Sequence, residues 1–496
     1  MKILFAISEY HPLIRTDDAA DFAASLTNVI GQLSHDIRII LPGYPEAVNA
    51  ALPVATVTTL DLAGHDDKVR LLEGNIEGID FPVYLVEAAE LFSHHGHPYL
   101  DVEGNRRKDN LTRFTMFSQA VNVIALNHAG LNWKPDIVHC NDWQTGLVPA
   151  LLAQDWNRPA TVFSCHHLSD KDHFGLQQLD GLKLPSSLKN SANCQVDNQF
   201  SPLKCGMMYS DAVVMSNNAP EDVREGVHAE YLKALSRRDE RLKVISPALD
   251  ENRWNPSSDK LISQPYDTNT FDLKARNKKT LQNSQDLREN DKACLISIFG
   301  DITDDEDNTD KIQLAFIEKL LAHEQVQLLM NCRKIHTGKL EENLIQQYSS
   351  RISFCNHITE KELHRLVAGC DAVMFPRNSL ITHLMPQTCC RYGTVPMLSR
   401  QVTDIPSMTE ATSENLMKGK ATGFLFTDNS TDSMYGTAEK LLKYHGRSGP
   451  WWKKLAVNCM EEFASNQQAR LEFTHRYLEC YQFAIDNPAS DPDQKT

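Results

Sequence analysis

Short apolar runs alternate with helical stretches along this chain, and they do so in two successive blocks. In the first half, residues 2–7, 37–41, 83–86, 137–140, 161–164 and 212–215 read as buried strands, with amphipathic stretches at 21–32 and 111–128 between them. In the second half the runs are 294–299, 326–331, 352–355, 372–375 and 395–398. Continuous apolar strands suit a sheet covered on both faces, and parallel strands need a helical crossover between them. The chain is therefore predicted to be α/β, with two doubly wound parallel-sheet domains over residues 1–244 and 245–466. A polar stretch, residues 250–282, joins them, and residues 486–496, rich in Asp and Pro, are expected to form a disordered tail.

The length of 496 residues gives room for two or three cores, and 41% hydrophobic with 23% charged residues is ordinary globular composition. A net charge of −15 argues against nucleic-acid or anionic-membrane partners, which need clustered Lys and Arg to displace counterions. The opening segment, Met1-Lys2-Ile3-Leu4-Phe5-Ala6-Ile7, is too short for a signal sequence or a membrane span and reads as a first strand. The 12 cysteines show neither C-x-x-C pairs nor metal-ligand spacing, as expected of reduced thiols in a cytoplasmic protein.

Ligands of doubly wound sheets bind at the carboxyl ends of strands, so the segments just beyond the strands deserve the closest reading. Seven motifs occur in order. The first three are Leu41-Pro42-Gly43-Tyr44-Pro45, Trp133-Lys134-Pro135-Asp136-Ile137-Val138-His139 and Asp142-Trp143-Gln144-Thr145-Gly146-Leu147-Val148-Pro149-Ala150-Leu151. Pro202-Leu203-Lys204-Cys205-Gly206 and Trp254-Asn255-Pro256 follow. The last two are Asn277-Lys278-Lys279-Thr280-Leu281-Gln282 and Arg391-Tyr392-Gly393-Thr394-Val395-Pro396. Together they resemble the bacterial glycogen synthase and plant starch synthase family. The resemblance implies the GT-B fold, two Rossmann-like domains facing a cleft, with a C-terminal helix over residues 467–485 crossing back to the first domain.

The family's donor-site motifs are altered. In the family, the strand matching residues 294–299 is followed by Ser-Arg-Leu-x-x-Gln-Lys-Gly, whose Arg and Lys hold the diphosphate of a nucleotide sugar. Here an acidic run begins, with Asp301 at the Arg position and Glu306 at the Lys position. The family's Lys-Thr-Gly-Gly loop reads Arg15-Thr16-Asp17-Asp18, which keeps the cation but replaces two glycines that let backbone N–H groups approach phosphate. Two further glycine motifs read Asn331-Cys332-Arg333 and Val402-Thr403-Asp404. The segment Ser-Arg-Phe-Glu-Pro-Cys-Gly-Leu-Thr-Gln aligns with residues 377–386. Leu380 replaces the Glu that contacts the donor sugar in the family, and His383 and Met385 add bulk. Reversing one charge about 4 Å from a phosphate changes the interaction by roughly 2 kcal/mol at the dielectric of water and about 8 at an effective value of 20.

Other positions keep family chemistry. His166 stands where the family hydrogen-bonds a hydroxyl of the donor glucose, and Asp142 where a carboxylate lines the cleft, although Asp-Trp after a strand also suits a helix cap with a buried ring. The run His94-His95-Gly96-His97 lacks a carboxylate or Cys partner for a metal. The acidic run 301–310 lacks the Gly and Glu of a calcium loop, so neither metal nor cofactor is expected. The resulting expectation is a catalytically inactive glycogen-synthase-like protein, binding α-glucan or a glycogen-metabolism enzyme. The alternatives are an active glucosyltransferase using Arg15, Asp142 and His166, with cations from Lys334 or Arg377, and a pure protein–protein interaction module.

Overall fold

The computed structural model describes the whole chain apart from residues 17–18, 63, 65–68, 78, 102, 104, 167–172, 216–226, 237, 246–248, 252, 301, 304–311, 332–338, 356–357, 377–383, 401–407, 429, 447–449, 465–466, 491 and 496. Two compact units are present, Met1–Pro247 with Arg470–Thr496, and Ala248–Ala469. Among the described residues no helix is long and apolar enough to cross a membrane.

The first unit is built on β1 (Lys2–Ala6), β2 (Asp36–Pro42), β3 (Ala55–Leu60), β4 (Val69–Gly74), β5 (Val83–Glu87), β6 (Ile137–Asn141) and β7 (Ala160–Cys165). Short strands β8 (Phe174–Gly175), β9 (Gln195–Val196) and β10 (Gln199–Phe200) form a small separate sheet, and β11 (Ala212–Met215) and β12 (Leu242–Val244) complete the large one. Its order is β12-β11-β7-β6-β1-β2-β5-β4-β3. Strands from β12 to β5 run parallel, and β4 and β3 are antiparallel additions. The added pair escapes a reading based on apolar runs because β3 is a Thr-rich edge strand, exposed along most of its length. From β1 the chain builds outward through β2 to β5, then returns to lay β6 on the other side of β1. This reversal makes a switch point between β1 and β6.

The second unit holds β13 (Cys294–Phe299), β14 (Ile302–Thr303), β15 (Ile312–Gln313), β16 (Val326–Asn331), β17 (Ile352–Cys355), β18 (Ala372–Phe375), β19 (Val395–Ser399) and β20 (Phe424–Phe426). Six of these form an all-parallel sheet in the order β17-β16-β13-β18-β19-β20, the Rossmann order 3-2-1-4-5-6, with its switch point between β13 and β18. β13 and β18 are buried along almost their whole length, as a sheet covered on both faces requires.

Each sheet is pinned by an aspartate just before one of its strands. In the first unit Asp211, preceding β11, accepts from Arg158 Nη1 (2.6 Å), Arg158 Nη2 (2.8 Å) and the Thr161 N–H (2.7 Å). In the second, Asp371, preceding β18, accepts from Lys278 Nζ (2.7 Å) and the Leu295 N–H (2.8 Å). Burial opposes ionisation of Asp371, but the Lys278 ammonium and the His445 imidazole more than offset it and hold the carboxyl far below the usual range. A ring stack of Trp254 on His364, with Asp259 accepting from Tyr392 Oη (2.6 Å) and Leu261 N (2.7 Å), joins the Trp254-Asn255-Pro256 and Arg391–Pro396 motifs inside this unit.

The C-terminal segment departs from the expected disordered tail. A 3₁₀ turn spans Pro492–Lys495, and Asp493 accepts from Ser191 Oγ (2.8 Å), Asn193 Nδ2 (2.9 Å) and the Tyr209 hydroxyl. Composition alone suggested disorder; a carboxylate with three donors supplies local contacts that composition does not register.

Candidate functional site at the strand ends of the first unit

The carboxyl ends of β1, β6 and β7 lie side by side, because β1 pairs with β6 and β6 with β7 in parallel register. Asn141, the last residue of β6, donates through Nδ2 to the Ala6 carbonyl at the end of β1 (3.0 Å). Its Oδ1 is therefore an acceptor, and it lies 3.0 Å from His166 Nε2, just beyond β7. That arrangement places a ring proton on Nε2, which donates to Asn141. Asp142 holds the same residue by its backbone, accepting from the His166 N–H at 2.7 Å. The His166 ring also meets Phe22 edge to face, with centroids 4.5 Å apart.

Asp142 sits at φ 53°, in the left-handed region, where Asp is better tolerated than branched residues. It begins the helix Asp142–Thr145 without capping it, and the next ring, Trp143, is buried against Phe114, Phe174 and the Arg106 guanidinium. The buried-ring half of the sequence expectation is therefore present, and the capping half is replaced by the bond to His166. A non-glycine residue in this conformation, held by a hydrogen bond across to the next strand end, is the kind of local strain that accompanies functional geometry.

The loop after β1 is folded onto acids of its own unit. Arg15 Nε donates to Asp21 Oδ2 (2.8 Å) on the helix Ala19–Gln32, and Thr16 donates to the buried Glu9 through both its N–H and its Oγ1 (2.6 Å). The retained cation is thus already charge-paired. Asp17 and Asp18 lie outside the described residues.

Beneath this cluster His139, buried in β6, lies between the Tyr481 hydroxyl on Nδ1 (2.7 Å) and Ser164 Oγ on Nε2 (2.8 Å). Burial, then the nearby His166, pushes its pKa well below the ordinary value.

Sequence reasoning singled out Arg15, Asp142 and His166; Arg15 and His166 lie in loops beyond strand ends of this sheet, and Asp142 starts the short helix after β6. It missed Asn141, Glu9, Asp21 and His139. Asn141 ends an apolar strand and Glu9 lies three residues beyond one, which is the signal that could have found them.

In the second unit Asp301, Glu306, Leu380 and His383 lie outside the described residues; in sequence they follow β13 and β18, the strands flanking the switch point. Met385 is described, and its side chain belongs to the hydrophobic core of that unit. His95 lies 3.1 Å from the Glu46 carboxylate on the surface. Among the described residues, Cys294, Asp371 and His445 are close enough to share a metal, but the Lys278 ammonium already supplies the positive charge beside Asp371. None of the described cysteines is in a disulfide, and apart from Cys355 they are buried.

Residues 2–238 match the family model of the starch synthase catalytic domain. The chain is 33% identical to glycogen synthase 2 of Nitrosococcus oceani over 98% of its own length and 99% of that protein's. It is 32% identical to glycogen synthase of Cellvibrio japonicus, covering 94% and 97% of the two chains. Among solved structures, the catalytic domain of starch synthase IV from Arabidopsis thaliana, bound to ADP and acarbose, superposes with a TM-score of 0.80 at 19% identity over 98% of this chain and 99% of that one. That likeness identifies the fold as GT-B.

Proposed function

Because this chain belongs to the glycogen synthase and starch synthase family, we propose that it acts on α-glucan, transferring glucose from ADP-glucose or UDP-glucose to an α-1,4-glucan. The whole-length likeness to proteins named glycogen synthase supports this activity. The observation that carries the sugar-binding half is the His166–Asn141–Asp142 arrangement. An imidazole held in one orientation, beside a carboxylate at a sheet switch point, suits a ligand that presents hydroxyls as both donors and acceptors. The His166 ring would meet a sugar hydroxyl at this strand end, and Asn141 and Asp142 would hold the ring and backbone in place.

A second reading, glucan binding without transfer in a regulatory role, has its own support. Asp301 and Glu306 stand at the family's diphosphate-binding cations, Leu380 at its sugar-contacting Glu, and Arg15 is neutralised by Asp21. Two charge reversals near a diphosphate cost at least about 4 kcal/mol, comparable with the whole binding energy of a millimolar donor. One assay separates the readings: glucose incorporation into glycogen from each nucleotide sugar, run beside retention on immobilised glycogen. Incorporation supports the transferase. Retention without incorporation supports the binding protein, and failure of both refutes each and leaves the interaction module.

A further inference from the structure

Trp156 is 96% exposed, the barest large apolar side chain among the described residues. An indole so fully in water is unusual, since Trp normally buries most of its surface. The loop that presents it is nonetheless held firmly. The Asn157 N–H donates to Asp155 Oδ1 (2.8 Å), Lys134 Nζ donates to the Asn157 carbonyl (2.9 Å), and Arg158 is locked in its pair with the buried Asp211. The ring therefore stands on a fixed base, and a ligand docking on it loses little loop entropy.

The neighbours narrow the class of ligand. Gln154, Asp155 and Asn157 surround the indole in sequence with neutral amides and a carboxylate, while Lys134 and Arg158 are both engaged in the contacts just given. A nucleic acid or anionic lipid would need cations here. A protein partner would need further apolar side chains packed beside the anchor ring to form an interface core, and this polar loop supplies none in its neighbouring positions. A neutral polyol fits: the C–H face of a pyranose lies on the π face of the indole, and amides and carboxylate meet the hydroxyls.

The position adds the last step. Trp156 precedes β7, whereas His166 follows it, and a strand of six residues separates the two by roughly 20 Å. We propose that Trp156 is the platform of a surface α-glucan site at the opposite sheet edge from the His166 cluster, holding the polymer by a second contact. The inference rests on α-glucan being the polymer this chain handles. Two contacts on one polymer raise retention by effective concentration without any change at the first.

Affinity electrophoresis through gels containing glycogen tests it. Trp156→Ala is expected to weaken retention of the full chain about tenfold, a figure ordinary for loss of one aromatic stack, and Trp156→Phe to lose less. Binding of maltotriose, too short to span both places, is measured by calorimetry and should show a second, weaker site in the unaltered protein that Trp156→Ala removes. Equal retention of Trp156→Ala and the unaltered protein would overturn the surface site and leave the proposed function standing. So would a change in sedimentation without a change in retention, which would assign the indole to self-association. Absence of glucose transfer together with Trp156-dependent retention would fail the transferase and keep the site.

Discussion

The first unit gathers the loops that leave β1, β6 and β7 into a hydrogen-bonded cluster of Asn141, Asp142 and His166, with Arg15 and Glu9 tied nearby. In the second unit the segments after β13 and β18 follow strands beside a switch point, and carry Asp301, Glu306 and Leu380, which the sequence reading sets against the family's Arg, Lys and Glu. Beneath those segments the second sheet has an anchor of the same kind as the first, with Asp371 paired to Lys278 as Asp211 is to Arg158. Strand ends can change because the buried ladders and anchors that hold the sheet make no use of them. The residues that hold the fold and those at the strand ends are separable within one doubly wound unit, and the two units agree in construction.

The largest expected effect bears on the strand ends of the second unit directly. Asp301→Arg with Glu306→Lys should strengthen ADP-glucose binding by about two to three orders of magnitude in calorimetry, since each reversal is worth roughly 2 kcal/mol even at the dielectric of water. Unchanged affinity would place both carboxylates away from the diphosphate and remove the support for the binding-only reading. Agreement in construction is tested next. Asp371→Ala strands the Lys278 ammonium in the core and should cost about 3 kcal/mol in urea denaturation, and Asp211→Ala should do the same to Arg158. A large loss in one unit and none in the other would break the parallel.

Much of this was legible in sequence. The central strands of both sheets follow from continuous apolar runs, which only a doubly covered sheet can bury. The edges were not: β3 and β4 form an antiparallel ribbon and β20 is three residues long, too short for a run to register. Trp254-Asn255-Pro256 and Arg391–Pro396 were visible as motifs, but their meaning as one buried hub emerges only when Asp259 and His364 are brought between them. At the site, residue type pointed to Asp142 and His166. Asn141 was passed over because its role depends on which amide atom faces Ala6, and the ordered end of the tail because Asp493 finds partners nearly three hundred residues away in sequence.

Asp142 offers a finer test of the first unit. Both Asp142→Gly and Asp142→Ala remove the acceptor for the His166 N–H, so each should weaken maltooligosaccharide binding about tenfold. Only the alanine adds a Cβ with no polar group to a residue at φ 53°, so it should also lower stability by about 1 kcal/mol relative to the glycine. Equal stability of the two would mean that the left-handed conformation carries no strain.

The smallest effect is a pair of pH dependences of the same sign in separate pH windows, one from each unit. His139 is buried and stays neutral in the folded protein well below its ordinary pKa, whereas in the unfolded chain it takes up a proton below about 6.5. The unfolded state then binds more protons, so stability falls as pH drops through that value, by at most about 1.4 kcal/mol per pH unit. Lys274 in the second unit is buried against the Ala368 carbonyl and Thr394 Oγ1, and burial, opposed in part by Asp371, lowers its pKa from 10.5 to about 8. Between those two values the folded lysine is neutral while the unfolded one is charged. Again the unfolded state holds more protons, so stability rises as pH increases, by roughly 1 kcal/mol between pH 8 and 9. His139→Gln should flatten the acid limb alone and Lys274→Met the alkaline limb alone, each read from urea midpoints across pH. If either substitution flattened both limbs, the two units would not titrate independently, and the comparison drawn between them would need a coupling that their separate cores do not supply.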